Sequence, residues 1–152
     1  MHKHEAQIHW ERKDQVFVDN KYSRAHLWEF DGLTVPASSA PSMLPPPLSS
    51  LEAIDPEEAL VAATSSCHML FFHYIAAKRG IVVDHYSDQA FGVMGKNLEG
   101  KTYMSKITLR PRIEFSGSKQ PVANEITEIH HEAHGQRFVG NSLKTEIDIE
   151  TA

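Results

Sequence analysis

Cysteine is nearly absent from this chain: there is one, Cys67, in 152 residues. A lone thiol forms no internal disulfide, so the fold rests on its core, and any thiol chemistry has to find its second sulfur outside the chain. Long basic runs are missing too. With a net charge of −5 and no concentrated positive field, nucleic-acid binding loses its electrostatic footing. The opening residues, MHKHEAQIHWERKD, are polar and histidine-rich and hold no apolar stretch of the kind a signal peptide needs. No later run reaches membrane-spanning length without charged or polar breaks, and there is no internal repeat. These absences predict a soluble, cytoplasmic protein with neither nucleic acid nor membrane as a partner.

What is present fits one globular domain over residues 1–152: 41% of residues are hydrophobic and 23% charged, enough apolar surface for a sizeable core. Between Ile8 and Val35, short partly alternating runs (QIHWE, QVFV, AHLWEF, LTV) are separated by turn formers at Asp19-Asn20 and Asp31-Gly32, which predicts hairpin-linked strands. Residues 37–50 hold four prolines and five serines, too many for helix or central strand, and a Pro/Ser-rich loop over 37–54 follows. That loop is either a plain connector or part of a pocket wall.

Asp55-Pro56-Glu57-Glu58 reads as a helix start. Asp55 caps free amides, Pro56 suits the first helical position and Glu58 completes a capping box. Gly80 is the matching stop, after Lys78 and Arg79. Apolar side chains occur on every face in between, which predicts a buried central helix. Downstream, Met104 to Phe115 alternates wet and dry residues as one strand, with Pro111 marking a bulge or a sheet edge. Ile126, Ile129 and Ala133 give a second amphipathic helix over Glu125 to His134. Leu143, Ile147 and Ile149 close the chain as a strand. The order predicts an α+β domain with mainly antiparallel sheets around a long central helix.

Cys67 lies inside the uncharged run Ala59–Ile75, and a thiol there is either packing material or the reactive centre of a redox site. Unassisted, a thiol with a reference pKa of about 8.5 is only a few per cent ionised at neutral pH, so reactivity needs a cationic neighbour. Glu57 precedes Cys67 by ten residues, about 15 Å along a straight helix, too far for contact unless the helix breaks or two subunits share a site. His68 adjoins Cys67 on the helix and points about 100° away, which argues against a role as its general base.

The stretch DPEEALVAATSSCHMLFFHYIAAKRGIVVDHYSD resembles the signature helix of the OsmC/Ohr family, the osmotically inducible and organic-hydroperoxide-resistance proteins, in which an acidic-Pro-Glu start leads into a helix bearing the reactive cysteine. YSRAHLWEFDG, ITLRPRIEF and HHEAHGQRFVGNSLKTEI resemble one OsmC-like branch in the same order. The resemblance implies an intertwined homodimer with two central helices back to back and paired active sites near the interface. It implies that Cys67 is a peroxidatic thiolate acting on an organic hydroperoxide, that Glu57 orients an arginine, and that Arg24 is that arginine. From the residues alone, Glu57 is equally a good first-turn helix residue and Arg24 equally a solvated strand charge.

The chain departs from the family pattern at one place. Two-cysteine members resolve the oxidised thiol with a second cysteine; here the aligned position is Arg137. Either an external thiol reductant resolves Cys67, or the protein binds a small apolar ligand without turnover. No cofactor is implied. His130 and His134 are spaced to face one metal, but no HExxH order or nearby cysteine completes a set, and no metal site is assigned. An apolar wall of Met69, Leu70, Phe71 and Phe72 would select greasy hydroperoxides.

Overall fold

A computed structural model describes residues 1–151 and resolves them into two compact units, residues 1–59 and the chain from Leu60 onward. In the first unit, β1 (Gln7–His9), β2 (His26–Phe30) and β3 (Leu33–Ala37) form an antiparallel sheet in that order. The Asp31-Gly32 turn brings Phe30 opposite Leu33. Pro36 lacks an N–H and is tolerated because β3 is the outer strand of the three. QVFV, expected as a strand, is instead an irregular stretch between turns at Lys13-Asp14 and Val18-Asp19, with Lys13 and Asn20 as non-glycine residues in the left-handed region. Its Phe17 folds back to stack on Tyr22 at 4.5 Å, and both rings meet Trp10 edge-on. The pull of an aromatic cluster has overridden a β-type sequence.

The proline-rich segment forms neither helix nor strand from 38 to 53, and its two ends are tied together. Ala37 bridges Ile54, the Ser38 N–H donates to Ile54 O at 2.9 Å, and the Ile54 N–H donates to Pro36 O at 3.0 Å. The capping box forms as read. Asp55 Oδ1 accepts from the Glu58 N–H at 2.8 Å, and Glu58 Oε1 accepts from the Asp55 N–H at 3.0 Å. From it springs α1 (Pro56–Lys78), stopped by Gly80 at φ +73°, a value that favours glycine.

The second unit packs α1 against α2 (Ala123–Gln136), with β4 (Val82–Asp88) and β7 (Pro111–Ser116) as one antiparallel pair. A second sheet runs in the order β5 (Phe91–Lys96), β6 (Thr102–Leu109), β8 (Glu146–Ile149). Phe72, Ile75, Ala76, Ile129 and Ala133 form the core between the helices, and Ile107, Leu109 and Ile147 form a second one on the β6 sheet. Arg79, just past α1, pairs with Glu125, Glu128 and Glu132 at 3.4–3.6 Å.

Two expectations are corrected here, while the mainly antiparallel pairing holds. The single strand Met104–Phe115 is two strands in different sheets: Pro111 has no N–H to continue the ladder, and the Arg110 N–H turns aside to Asp88 Oδ1 at 2.6 Å. β8 pairs parallel to β6, the exception in a mainly antiparallel fold. And α1 is not buried all round. Thr64, His68, Phe72, Ile75 and Ala76 make one buried stripe, while Leu70 and Tyr74 on the far side are 60% and 58% exposed. By length and composition α1 would also satisfy the requirements for crossing a membrane, which the sequence reading did not anticipate. Its buried stripe also carries His68, whose Nε2 is hydrogen-bonded at 2.9 Å to His130 Nδ1 on α2, a polar contact between two helices of one core.

The cap sets the start of the longest helix, so Asp55→Ala should lower unfolding free energy by about 1 kcal/mol and Glu58→Ala by roughly half as much. Urea denaturation of the two variants measures this. Unchanged midpoints would mean that the box contributes nothing.

Candidate active site

Cys67 is half-buried on α1, one turn before Phe71 and beside His68. His68 points into the core, where its Nε2 and the Nδ1 of His130 on α2 form a hydrogen bond of 2.9 Å. Phe71 meets Phe138 edge-on at 5.0 Å. Phe138 opens the four-residue α3 (Phe138–Asn141), and Arg137 is the hinge between α2 and α3, with extended backbone at φ −62°, ψ 126°. The Arg137 side chain turns inward and is only 4% exposed.

That burial is built into the local chain. The Arg137 N–H donates to Ala133 O at 3.1 Å and its carbonyl accepts from the Asn141 N–H at 3.2 Å, which fixes the hinge. The side chain lies against Gly140, where a Cβ would run into its Cγ, Cδ and Nε. Its Nη2 donates to His134 Nε2 at 3.1 Å, while Nε and Nη1 are buried with no hydrogen-bond partner among the described residues. Burial pushes the Arg137 pKa down, and a Cys67 thiolate acts in the opposite direction, so sulfur and guanidinium lie within electrostatic reach.

The histidines respond to the same surroundings. Burial first, then His130, Arg137 and His134, lower His68 to about 3. Burial lowers His130 to about 4 against the opposing charge of Asp88. His134 is pushed down by burial and then by Arg137. Three imidazoles around this arginine are therefore neutral at pH 7. His130 and His134, the pair spaced for one metal, go to different partners, His68 and Arg137.

In the first unit, Arg24 and Glu57 line one cleft of about 680 Å³, walled by Ile8, Trp10, Phe17, Tyr22 and Met43. The Arg24 guanidinium lies over the Tyr22 ring at 3.6 Å and donates to Asn20 Oδ1 at 2.9 Å and to the Tyr22 carbonyl. Among the described residues no Arg24–Glu57 ion pair forms, and Glu57 Oε2 is buried without a partner. Sequence reasoning gave the thiol Arg24 as its cation; Arg24 lies with Glu57 in the first unit, and within the second unit Arg137 is the guanidinium whose charge couples to Cys67. The wall of Met69 to Phe72 does not exist as one surface, because four consecutive helical residues face all directions. Phe72 is 0% exposed in the core and Leu70 points outward. The His68–His130 pair went unread; its one sequence signal was a histidine inside an uncharged helix.

The family model for OsmC-like proteins matches residues 49–152, and the chain belongs to that family. Over the full length of both chains it is 49% identical to an OsmC-like protein of unknown function from Vibrio cholerae, with a TM-score of 0.97. The organic hydroperoxide resistance protein OhrB of Bacillus subtilis shares the fold at 12% identity and a TM-score of 0.67, covering 99% of this chain and 98% of that one. An organic hydroperoxide resistance protein OsmC from Legionella pneumophila does so at 15% identity and a TM-score of 0.64, covering 99% and 96%. Comparison with curated proteins finds no match. The α+β, mainly antiparallel OsmC-like fold read from the sequence is the fold observed.

Because His68 and His130 are neutral when folded but bind protons at about 6.5 when unfolded, acid favours the unfolded chain. Their contribution is whole above that value and is lost as pH falls toward about 4 and then about 3. Urea unfolding should show a loss of about 2 kcal/mol or more between pH 7 and pH 5, reduced in His130→Gln. Native stability that is flat or rising toward pH 5 would contradict the neutral pair.

Proposed function

We propose that the protein is a thiol-dependent peroxidase that reduces organic hydroperoxides through Cys67 in oxidative stress defence. The observation that carries this is a half-buried thiol within electrostatic reach of a buried guanidinium, in a chain whose family includes proteins named for organic hydroperoxide resistance. The Cys67 thiolate attacks one peroxide oxygen. The O–O bond breaks, an S–O bond forms, sulfur is oxidised by two electrons, and the alkoxide takes a proton and leaves as the alcohol. With no second cysteine, an external monothiol attacks the sulfenic acid, releasing water and forming a mixed disulfide; a second monothiol exchanges it and restores Cys67.

The working unit of this proposal is a cytoplasmic homodimer, each chain a single OsmC-like domain. The exposed face of α1, with Ala63, Ser66, Leu70, Tyr74 and Ala77 at helical spacing, is the surface on which two copies pair. Glu57 and Arg24 then act from the aromatic cleft of one copy on Cys67 of the other, which meets the ten-residue separation of Glu57 from Cys67. The cleft also supports a second reading. A volume of about 680 Å³ lined by aromatic rings suits a small apolar ligand bound without turnover.

One equivalent of cumene hydroperoxide should oxidise Cys67 to a trappable sulfenic acid, detected by mass spectrometry, and monothiol should then reverse it. Cys67→Ser should consume no hydroperoxide. An inert thiol favours the binding reading. For the dimer, Leu70→Glu with Tyr74→Glu should halve the mass seen by light scattering, whereas a native protein of 17.1 kDa in solution would remove the shared site.

A further inference from the structure

Arg137 makes a demand that the described residues do not meet. Its guanidinium is buried, its Nε and Nη1 donate to nothing, and its one side-chain partner is a neutral imidazole. A buried cation with open donors is costly unless an anion or a strong acceptor faces it.

The fold narrows what that acceptor can be. Two contacts join α1 to the end of α2 around this point: His68 with His130, and Phe71 with Phe138, the residue after Arg137. Cys67 stands next to the first of these α1 residues and one turn from the second, so the α1 surface offered to Arg137 carries its sulfur. The other titratable groups around the cluster are His68 on α1, His130, His131 and His134 on α2, Asp88 on β4 and Asp148 on β8. Both carboxylates are engaged elsewhere. Asp88 accepts from Ser65 Oγ and the Arg110 N–H, and Asp148 pairs with Lys106 at 2.7 Å. An imidazole, neutral or cationic, supplies no anion. Cys67 Sγ remains as the group able to become an anion toward Arg137.

We propose that Arg137, wedged against Gly140, is the positioning residue for Cys67: it holds the sulfur as the thiolate before oxidation and as the sulfenate afterwards, until an external monothiol arrives. The second half of this rests on the peroxidase reading; the first does not. In a chain with one cysteine, such a hold has a use, because the oxidised sulfur waits for a bimolecular partner and is exposed meanwhile to further oxidation.

The test is the rate of Cys67 alkylation by iodoacetamide from pH 5 to pH 9, with thermal melts to verify folding. Arg137→Met should slow alkylation about tenfold near pH 6.5 and move the profile upward, since one pH unit is a factor of ten in thiolate. Arg137→Lys should recover part of the loss. Gly140→Ala, which keeps the charge but displaces the side chain, should fall between native and Arg137→Met, and it decides the matter should the methionine variant not fold. Lys144→Met, removing an exposed cation, should leave the profile in place. Native-like profiles for both Arg137→Met and Gly140→Ala overturn the proposal, whether or not Arg24→Met shifts the profile. An Arg137-dependent profile in a thiol that hydroperoxide does not oxidise would sink the peroxidase reading and keep the ion pair; the reverse pattern would sink the pair and keep the peroxidase.

Discussion

One stripe of α1 carries both the core and the chemistry of the second unit. Thr64, His68, Phe72, Ile75 and Ala76 are buried at helical spacing, and the same helix face that seats Phe72 against Ile129 and Ala133 also takes a histidine to His130. Packing there is constrained by polar satisfaction as well as by volume. A rotation of α1 would expose Phe72 and strip His68 of its partner together. Because Cys67 precedes His68, its half-buried position follows from the setting of the stripe and requires no separate device.

Charge burial is the second constraint. Most guanidinium groups reach water, yet the α2–α3 hinge turns Arg137 inward and Gly140 leaves room for it. Neutral imidazoles nearby supply hydrogen bonding without balancing its charge. This pushes the imbalance onto the sulfur. The same low-dielectric surroundings that lower the histidines also strengthen the attraction between a thiolate and a cation.

The fold was legible where local signals agreed with tertiary packing. Asp55 and Glu58 announced the helix start and formed the box; Gly80 ended the helix; Ile126, Ile129 and Ala133 marked the inward face of α2. Legibility failed where a distant partner decided the outcome. QVFV alternates like a strand, but Trp10 and Tyr22 claim its phenylalanine. Met104 to Phe115 has one continuous pattern of alternation, and only the missing N–H of Pro111 and the side chain of Asp88 split it between sheets. At the site, Cys67 was conspicuous as the single thiol. Arg137 was visible only as a charge at the position where the resembled family keeps a thiol. That it faces inward depends on a hinge and a glycine whose effect appears only in three dimensions.

The central claim is that Cys67 oxidises under the hold of the Arg137 guanidinium. A crystal structure of the protein after one equivalent of an organic hydroperoxide tests it most directly. The account predicts a single added oxygen on Cys67 Sγ, with an Arg137 nitrogen within hydrogen-bond distance of the sulfur or that oxygen. An unmodified thiol, with Arg137 turned out to solvent or paired to a carboxylate, would contradict it.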